Sequence, residues 1–451
     1  MSNWQKVKIG DFLFERKGRY KPNDEQIVNL PRIEKIDFSG NFHIGNKDSK
    51  TDMILIKDGD LVISGINVAK GAMGIYSGED VTATIHYSSY TFDSNKINVE
   101  YFKRFLKSSE FIELLNEQVK GGIKTEIKPK HILPLEIQLP DINTQAQIVQ
   151  HFENVEDDIA DVTKEVLKQE SLLKKLKQTI LQEAIEGKLT AKWRAKNPDI
   201  GTAKELLDQI KTEKEQLVKD KKIKASKLLA PINEDEIPFD IPPSWEWCKF
   251  GEIIYENPRN GYSPKTVDYK TEIKTLKLGA ITQGYFDTTQ IKYLDISIEK
   301  DSFLWLKKGD VLIQRSNSLE HVGMAGIYNL KDTNYIYPDL IMKCQVVQPV
   351  INYFIHKYLV SNFTREYFRN NASGAQQSMP KINQGTVTNL LVPLPPTEEQ
   401  KEIVATIEKL FTICDELESE INQNKVTVDN LMATVLKEAF ETKENIHEYK
   451  A

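Results

Sequence analysis

The chain has 451 residues, of which 40% are hydrophobic and 28% charged. That composition is typical of a globular protein, and the length exceeds one ordinary core, so we expect two or more domains. The formal net charge of −6 argues against indiscriminate coating of DNA but permits DNA binding through a locally basic face. The three cysteines are isolated, no apolar run approaches the roughly 20 residues that span a bilayer, and the first residues lack a secretory signal. We therefore expect a cytoplasmic protein.

Residues 1–140 are predicted to form a mixed α/β domain rich in strand. The stretch ILIKDGDLVIS places apolar runs on both sides of a Gly-Asp turn and predicts a β-hairpin, and a helix after Lys96 ends in a glycine-containing loop. Cations, amides and Tyr at turn positions suit contact with DNA, although structural loops with solvated charge explain them about equally well. The DNA-contact candidates of this domain are Arg16, Lys17, Arg19, Tyr20, Lys21, Asn67, Lys120 and Lys124.

Residues 141–190 predict one long helix, with apolar side chains at a spacing of three to four residues. At about 1.5 Å per residue, the segment from Gln145 would be roughly 65 Å long. No small domain can bury such a helix, so it requires a partner helix. The predicted helix core of this segment consists of Ile148, Phe152, Val155, Ile159, Val162, Val166 and Gln169.

Residues 191–240 predict a linker that contains a short helix. Thr202 is suited to cap the helix TAKELLDQIKTEKEQL. The basic run KDKKIKASK, which starts at Lys219, is explained more simply as a solvated linker than as a phosphate contact.

Residues 241–393 and 394–445 repeat the first domain and its helix. LPDINTQAQIVQHFENVEDD from Leu139 aligns with LPPTEEQKEIVATIEKLFTI from Leu394 at an offset of 255 (394 − 139), without a gap. Upstream, IKDGDLVISGIN matches LKKGDVLIQRSN, and GAMGIY matches GMAGIY as a packing and turn motif. The predicted core of the second helix consists of Ile403, Ile407, Leu410, Leu417, Ile421 and Asn424. The DNA-contact candidates of the second domain are Arg259, Asn260, Tyr262, Lys265, Arg315, Asn317, Gln376 and Gln377.

The apolar helix pattern lapses at one equivalent position in both copies, at Gln169 and at Asn424 (169 + 255 = 424). A polar side chain in a helix seam costs stability but can select register. We therefore expect the two side chains to hydrogen-bond near the helix crossing. The alternative is that both are rotated outward.

Motifs for catalysis are missing from the sequence. It has no GxxxxGK[ST] phosphate loop and no Asn/Asp-Pro-Pro-aromatic motif of an adenine methyltransferase. The two TEIK strings are explained as coincidence in a chain rich in Lys and Glu. We assign no catalytic residue and no metal site.

The order domain, helix, linker, domain, helix resembles the specificity subunit of type I restriction–modification systems over essentially the whole chain. The strings that carry the resemblance are LPPTEEQKEIVATIEKLF, LKQTILQEAIEGKLTAKWR and NEDEIPFDIPPSWEW. The resemblance implies an α/β (α+β) fold with two mixed α/β target-recognition domains. Two long antiparallel helices would separate these domains as a coiled-coil-like spacer with an internal pseudo-two-fold repeat. Each domain would read one half of a bipartite, asymmetric DNA site, and the helices would set the gap.

The same resemblance implies the partners, which are double-stranded DNA, two methyltransferase subunits and two motor-nuclease subunits. This chain would bind no cofactor, since S-adenosylmethionine, ATP and Mg are used by the other subunits. Two other functions compete with this one. A structural coiled-coil scaffold with protein-binding end domains is one, and a fused DNA methyltransferase or nuclease, against which the missing motifs count, is the other.

Overall fold

A computed structural model describes residues 4–45, 49–67, 70–118, 127–226, 228–331, 334–348, 350–374 and 379–441. The chain divides into two compact units. The first unit comprises Met1–Lys168 together with Ile421–Ala451, and the second comprises Gln169–Glu420. Each unit therefore contains one globular domain and a part of each of two long helices.

The first globular domain is built on two four-stranded sheets, in the orders β2-β9-β6-β7 and β4-β3-β8-β5. Its strands are β1 (Gln5–Lys8), β2 (Leu13–Glu15), β3 (Arg32–Ile36), β4 (Phe42–Gly45), β5 (Met53–Ile56), β6 (Leu61–Ser64), β7 (Met73–Ile75), β8 (Val81–Thr84), β9 (Tyr87–Phe92) and β10 (Glu136–Leu139). Its helices are α1 (Val99–Phe105), α2 (Ser109–Gln118) and α3 (Pro129–Ile132). Strand β1 pairs antiparallel with β10, so the beginning and the end of the domain lie side by side.

The first long helix and the linker follow as α4 (Ile142–Ile185), α5 (Ala191–Lys196) and α6 (Ala203–Lys219). Helix α4 ends five residues short of the predicted boundary, because Gly187 adopts a left-handed conformation at φ +72°. As predicted, the Thr202 side chain caps α6, where it accepts the Glu205 backbone N–H at 3.3 Å. The basic run after Lys219 is mostly exposed.

The second globular domain repeats the sheet plan of the first. Its strands are β11 (Glu246–Lys249), β12 (Arg259–Asn260), β13 (Ile273–Leu276), β14 (Ile291–Leu294), β15 (Val311–Gln314), β16 (Ala325–Ile327), β17 (Tyr335–Ile336), β18 (Ile341–Cys344) and β19 (Leu391–Leu394). Its helices are α7 (Asn352–Leu359), α8 (Asn362–Asn370) and α9 (Gln384–Thr388), and α10 (Thr397–Glu441) follows. The order β12-β18-β15-β16 reproduces β2-β9-β6-β7, and β11 pairs with β19 as β1 pairs with β10.

The first Gly-Asp turn joins strands of two different sheets, and no strand directly precedes the second turn, so the predicted hairpin is wrong. Strand β5 pairs with β8, whereas β6 pairs with β7 and β9. The Asp60 carboxylate accepts the backbone N–H of Lys57 at 3.0 Å, and that of Asp310 accepts Lys307 N–H at 2.8 Å. Each turn is thereby closed by its own aspartate. The apolar run before the first turn forms β5 of the other sheet, and the run before the second turn forms no strand.

The two long helices are buried along one line of residues spaced by seven. The members of this seam that are buried are Phe152, Val166, Leu173, Ile180, Ile407, Cys414 and Ile421. Its half-buried members are Ile159, Val428 and Val435. Of the other predicted core residues, Ile403 is buried, whereas Ile148, Val155, Gln169 and Leu410 are half-buried.

Three predicted core residues are exposed, and for them the prediction is wrong. Val162 is 47% exposed, Leu417 is 41% exposed, and the Asn424 side chain also faces solvent. Each lies three residues after a seam position, roughly 60° around the helix from it. A single facing helix covers only a narrow strip, so these positions remain outside the seam. Asn424 is thus rotated outward, as the alternative to a hydrogen bond with Gln169 proposes, whereas Gln169 is half-buried.

The contacts of the helices run in antiparallel order. Within the second unit, Lys177 Nζ lies 2.9 Å from Asp415 Oδ1 and 2.7 Å from Glu418 Oε2. Within the first unit, Val435 packs against the core cluster that contains Val149 and Phe152. Partners on α10 thus have lower numbers as α4 proceeds.

A buried glutamine fastens each domain to the start of its long helix. Gln400 Oε1 accepts the Ile351 N–H at 2.9 Å, and its Nε2 donates to the Pro395 carbonyl at 2.9 Å. Gln145 Oε1 accepts the Asn98 N–H at 2.7 Å, and its Nε2 donates to the carbonyls of Lys96 at 3.1 Å and Pro140 at 2.8 Å. Both side chains are fully buried.

Replacing Gln400 with Leu should lower the free energy of unfolding by about 2–4 kcal/mol, because two buried backbone groups lose their partners. The matched control is Gln147→Leu, an exposed glutamine in the first turns of α4, which should change stability by less than about 0.5 kcal/mol. Denaturant unfolding of the purified chain measures both. Equal stabilities of the two variants would contradict a fastening role for Gln400.

Candidate nucleic-acid interface

An equivalent edge is built at the end of β6 in the first unit and of β15 in the second. Gly65, just after β6, donates its N–H to the His86 carbonyl at 2.8 Å, and its carbonyl accepts the Ile127 N–H at 2.7 Å. Arg315, just after β15, donates to the Leu340 carbonyl at 2.8 Å and accepts from Ile382 N–H at 2.9 Å. We call residues 17–20, 65–67 and 127 the first strand-end edge, and residues 260–262, 315–317 and 382 the second.

The second strand-end edge brings together two of the predicted segments. Gly261 N–H donates to the Ile341 carbonyl at 3.1 Å and Tyr262 N–H to the Tyr337 carbonyl at 2.9 Å, while Arg315 lies on the other side of β18. Tyr262 is 52% exposed. The Asn260 Oδ1 atom is buried without a hydrogen-bond partner among the residues that the structure describes. A polar donor and acceptor set is thus concentrated at one end of the sheet.

The Arg315 guanidinium is the group at this edge best suited to a base. It is half-buried, and within the described part of the chain its side chain makes no hydrogen bond or ion pair. A guanidinium in this state retains its full donor fork, which matches the O6 and N7 acceptors of guanine. Lys265, a few residues beyond Tyr262, is exposed.

The first strand-end edge carries exposed cations. Arg16 continues β2 by donating its N–H to the Ser89 carbonyl at 2.8 Å, and Tyr20 exchanges backbone hydrogen bonds with Met53 at 3.0 and 2.8 Å. Between them, Lys17 and Arg19 are exposed. Lys21 pairs with Asp52 at 3.0 Å and remains 82% exposed in its side chain. Exposed cations of this kind suit phosphate contact.

Arg16 is bound inside its own domain, which counts against its predicted role in DNA contact. Its Nε and NH2 groups donate to the two carboxylate oxygens of Asp60 at 2.6 and 2.7 Å. The Asp60 side chain is only 2% exposed, and the ion pair raises the pKa of Arg16. A carboxylate this deeply buried requires a cation, so the guanidinium completes the domain.

The remaining predicted residues differ in how free they are. Asn317 Nδ2 donates to Gln314 Oε1 at 2.8 Å and its Oδ1 accepts the Ser318 N–H at 2.8 Å, so its amide is already engaged. The Arg259 guanidinium lies 4.5 Å from the ring centre of Phe303. Asn67 is half-buried, and its carbonyl accepts the N–H of Lys70 in a turn. Lys120, Lys124, Gln376 and Gln377 lie outside the described residues.

Among the residues with a described position, no group of three or more His, Cys, Asp or Glu is arranged to hold a metal ion. No helix in that part of the chain is long and apolar enough to cross a membrane.

The comparisons with known proteins agree with this architecture. Residues 242–425 match the family model described as the type I restriction modification DNA specificity domain. Over 269 residues the chain is 31% identical to the type I restriction enzyme EcoEI specificity subunit of Escherichia coli, covering 57% of this chain and 43% of that protein. It is 26% identical to the EcoAI specificity subunit of Escherichia coli, covering 90% of this chain and 77% of that protein. Residues 242–425 are thus similar to the DNA specificity domain of type I restriction enzymes, and most of the chain is similar to their specificity subunits.

Two solved structures show the same fold along almost the whole chain. A chain from a study of complex assembly and conformational transition of the type I restriction–modification system matches with a TM-score of 0.65 at 15% identity, covering 97% of both chains. The HsdS subunit from Thermoanaerobacter tengcongensis matches with a TM-score of 0.55 at 16% identity, covering 98% of this chain and 97% of that one. These likenesses establish the two-domain, two-helix fold.

A buried carboxylate that the sequence did not single out explains the strings shared with the family. Glu399, fully buried at the start of α10, accepts hydrogen bonds from Thr190 Oγ1 at 2.7 Å and Trp245 Nε1 at 2.9 Å, and it also pairs with Arg194. These three partners come from GKLTAKWR and PPSWEW, and Glu399 from LPPTEEQ. The strings therefore meet at one polar cluster, which is structural. The signal in the sequence was that the three strings that carry the resemblance lie far apart in the chain, as residues that meet in the folded protein can do.

Replacing Arg16 with Ala should destabilise the chain by roughly 2–3 kcal/mol, because buried Asp60 loses its charge partner. Lys17→Ala, at the exposed neighbour, should leave stability within about 0.5 kcal/mol. Denaturant unfolding and DNA affinity are measured on both variants. A stable Arg16 variant with weakened DNA binding would instead assign Arg16 to the interface.

Proposed function

We propose that this chain is the non-catalytic, DNA-reading subunit of a type I restriction–modification complex, in which each strand-end edge reads one half of a bipartite, asymmetric target. The observation that carries the proposal is that one backbone frame is built twice and presents different side chains. Lys17 and Arg19 are exposed on the first edge, whereas Tyr262 and Arg315 stand on the second. Base edges carry the sequence code, so different donors on equal frames give two different half-sites.

The long helices would set the gap between half-sites and bind the methyltransferase subunits. Their seam leaves large apolar side chains exposed outside it. These are Val162, Leu167, Leu172 and Leu176 on α4 and Ile413, Leu417, Val426 and Leu431 on α10, each between 41% and 54% exposed. A helix pair with this much uncovered apolar surface is suited to bind other protein chains. An intramolecular repeat supplies two related docking surfaces for two methyltransferase subunits.

The remaining chemistry would belong to the partners. Two methyltransferase subunits would use S-adenosylmethionine, and two motor-nuclease subunits would use ATP and Mg, while this chain binds no cofactor. The absence of a catalytic motif in the sequence supports this division of labour. Assembly on genomic DNA would take place in the cytoplasm.

Methylation-aware sequencing of host DNA tests the proposal. We expect one N6-methyladenine motif made of two unlike half-sites separated by a fixed gap, and its loss when the gene for this chain is deleted. Restoring the gene is the control. An active methyltransferase partner that produces no bipartite motif would contradict the proposal.

A further inference from the structure

The hairpin between β3 and β4 presents an exposed aromatic side chain beside the first strand-end edge. Phe38 is 54% exposed, and its carbonyl oxygen lies 2.8 Å from where a Cβ atom on Gly71 would be. Ile66, within the edge itself, is 61% exposed. The Lys70 ammonium lies 5.8 Å from the centre of the Phe38 ring. An exposed aromatic ring and a cation therefore lie next to each other, and Ile66 is four residues before that cation in the chain.

The hairpin tip that carries Phe38 is held rigidly. The Asp37 carboxylate accepts the backbone N–H groups of Ser39 at 3.0 Å and Asn41 at 2.9 Å, and the Asn41 amide at 3.0 Å. These bonds lower the pKa of Asp37 to about 2. The aromatic ring is thus presented to solvent by an ordered turn, although burying it would be favourable.

The second unit also exposes an aromatic and an aliphatic side chain close in sequence to its strand-end edge. Tyr285, in the connection between β13 and β14, is 61% exposed, and Leu319, four residues after Arg315, is 47% exposed. Gln314 Nε2 ties the two segments together, since it donates to the Leu278 carbonyl and to Thr282 Oγ1, each at 2.8 Å. The loop around Leu319 is fixed by the buried Arg365, which donates to the carbonyls of Val322 and Glu320 at 2.7 Å each.

We propose that the pairs Phe38–Ile66 and Tyr285–Leu319 are specificity elements that contact the bases of the two DNA half-sites through apolar surface. This inference rests on the proposed function. In each domain the connection between two strands of the second sheet exposes an aromatic residue, and the segment after β6 or β15 exposes an aliphatic one. In the major groove, apolar side chains recognise the thymine methyl group, and cations flanking them face phosphates. Lys70 lies beside Phe38, so the ring could contact a base while the ammonium group faces a phosphate.

The test uses the complex of this chain with its methyltransferase subunits and a duplex that carries the methylated motif. The variants are Phe38→Ala with Ile66→Ala, and Tyr285→Ala with Leu319→Ala. Matched controls are Phe14→Ala and Tyr353→Ala, aromatic residues that are 48% and 47% exposed elsewhere in the same two units. Dissociation constants are measured over a range of salt concentrations, with the intact motif and with each half-site scrambled in turn.

Each double variant should bind the intact motif roughly tenfold more weakly, the scale of one lost base contact. The slope of log affinity against log salt should stay unchanged, since no phosphate contact is lost, whereas Lys70→Ala should reduce that slope by about 1. Scrambling one half-site should abolish the loss of affinity caused by one double substitution only. Scrambling the other half-site should abolish the loss caused by the other double substitution.

Unchanged affinity in both double variants would overturn the inference, as would a loss accompanied by a reduced salt slope. Failure of the variants to assemble with the methyltransferase subunits, seen by sedimentation, would reassign the pairs to a protein interface. If the unaltered complex prefers no bipartite motif, the proposed function itself fails, which distinguishes the two outcomes.

Discussion

A buried glutamine carboxamide at the first turn of each long helix determines how the globular domain is attached to that helix. Gln145 and Gln400 each accept a backbone N–H from their own globular domain and donate to the backbone at the helix start. Because a buried polar group without partners is costly, each domain and its helix are held in one geometry. The β1–β10 and β11–β19 pairs fix the same junction from the other side. Under the proposed function, a strand-end edge attached this rigidly to a helix would be held at a fixed distance along the DNA.

Under the proposed function, an acidic chain would bind DNA through a few locally exposed cations. The net charge of −6 is compatible with binding where exposed cations such as Lys17 and Arg19 stand at a strand-end edge. Other ion pairs support the frame, as Arg16 does with Asp60 and Lys177 does with Asp415. Specific affinity then depends on a few base contacts added to a modest phosphate term, which limits binding to unrelated sequences.

The internal repeat made the architecture predictable, whereas side-chain partners could not be predicted. The offset of 255 predicted two helices of equal length. The same offset relates Ile127 to Ile382, whose backbone N–H groups donate to the carbonyls of Gly65 and Arg315, the equivalent positions of the two edges. The role of Arg16 was not predictable because its partner Asp60 lies 44 residues away in sequence. Asn424 was placed in the helix core because a spacing of three to four residues predicts a broader stripe than one facing helix can cover. The polarity of the edges was predictable, but which side chains remain free depends on tertiary contacts.

If the proposed function holds, each globular domain reads its half-site independently on a shared helical frame. The decisive experiment exchanges residues 1–139 for the equivalent segment of a type I specificity subunit and keeps the Gln145 junction and both helices. Methylation-aware sequencing of cells that carry the hybrid gives the readout. We expect one half-site to change and the other half-site to remain. A change in both half-sites, from a hybrid that assembles and methylates, would contradict independent reading.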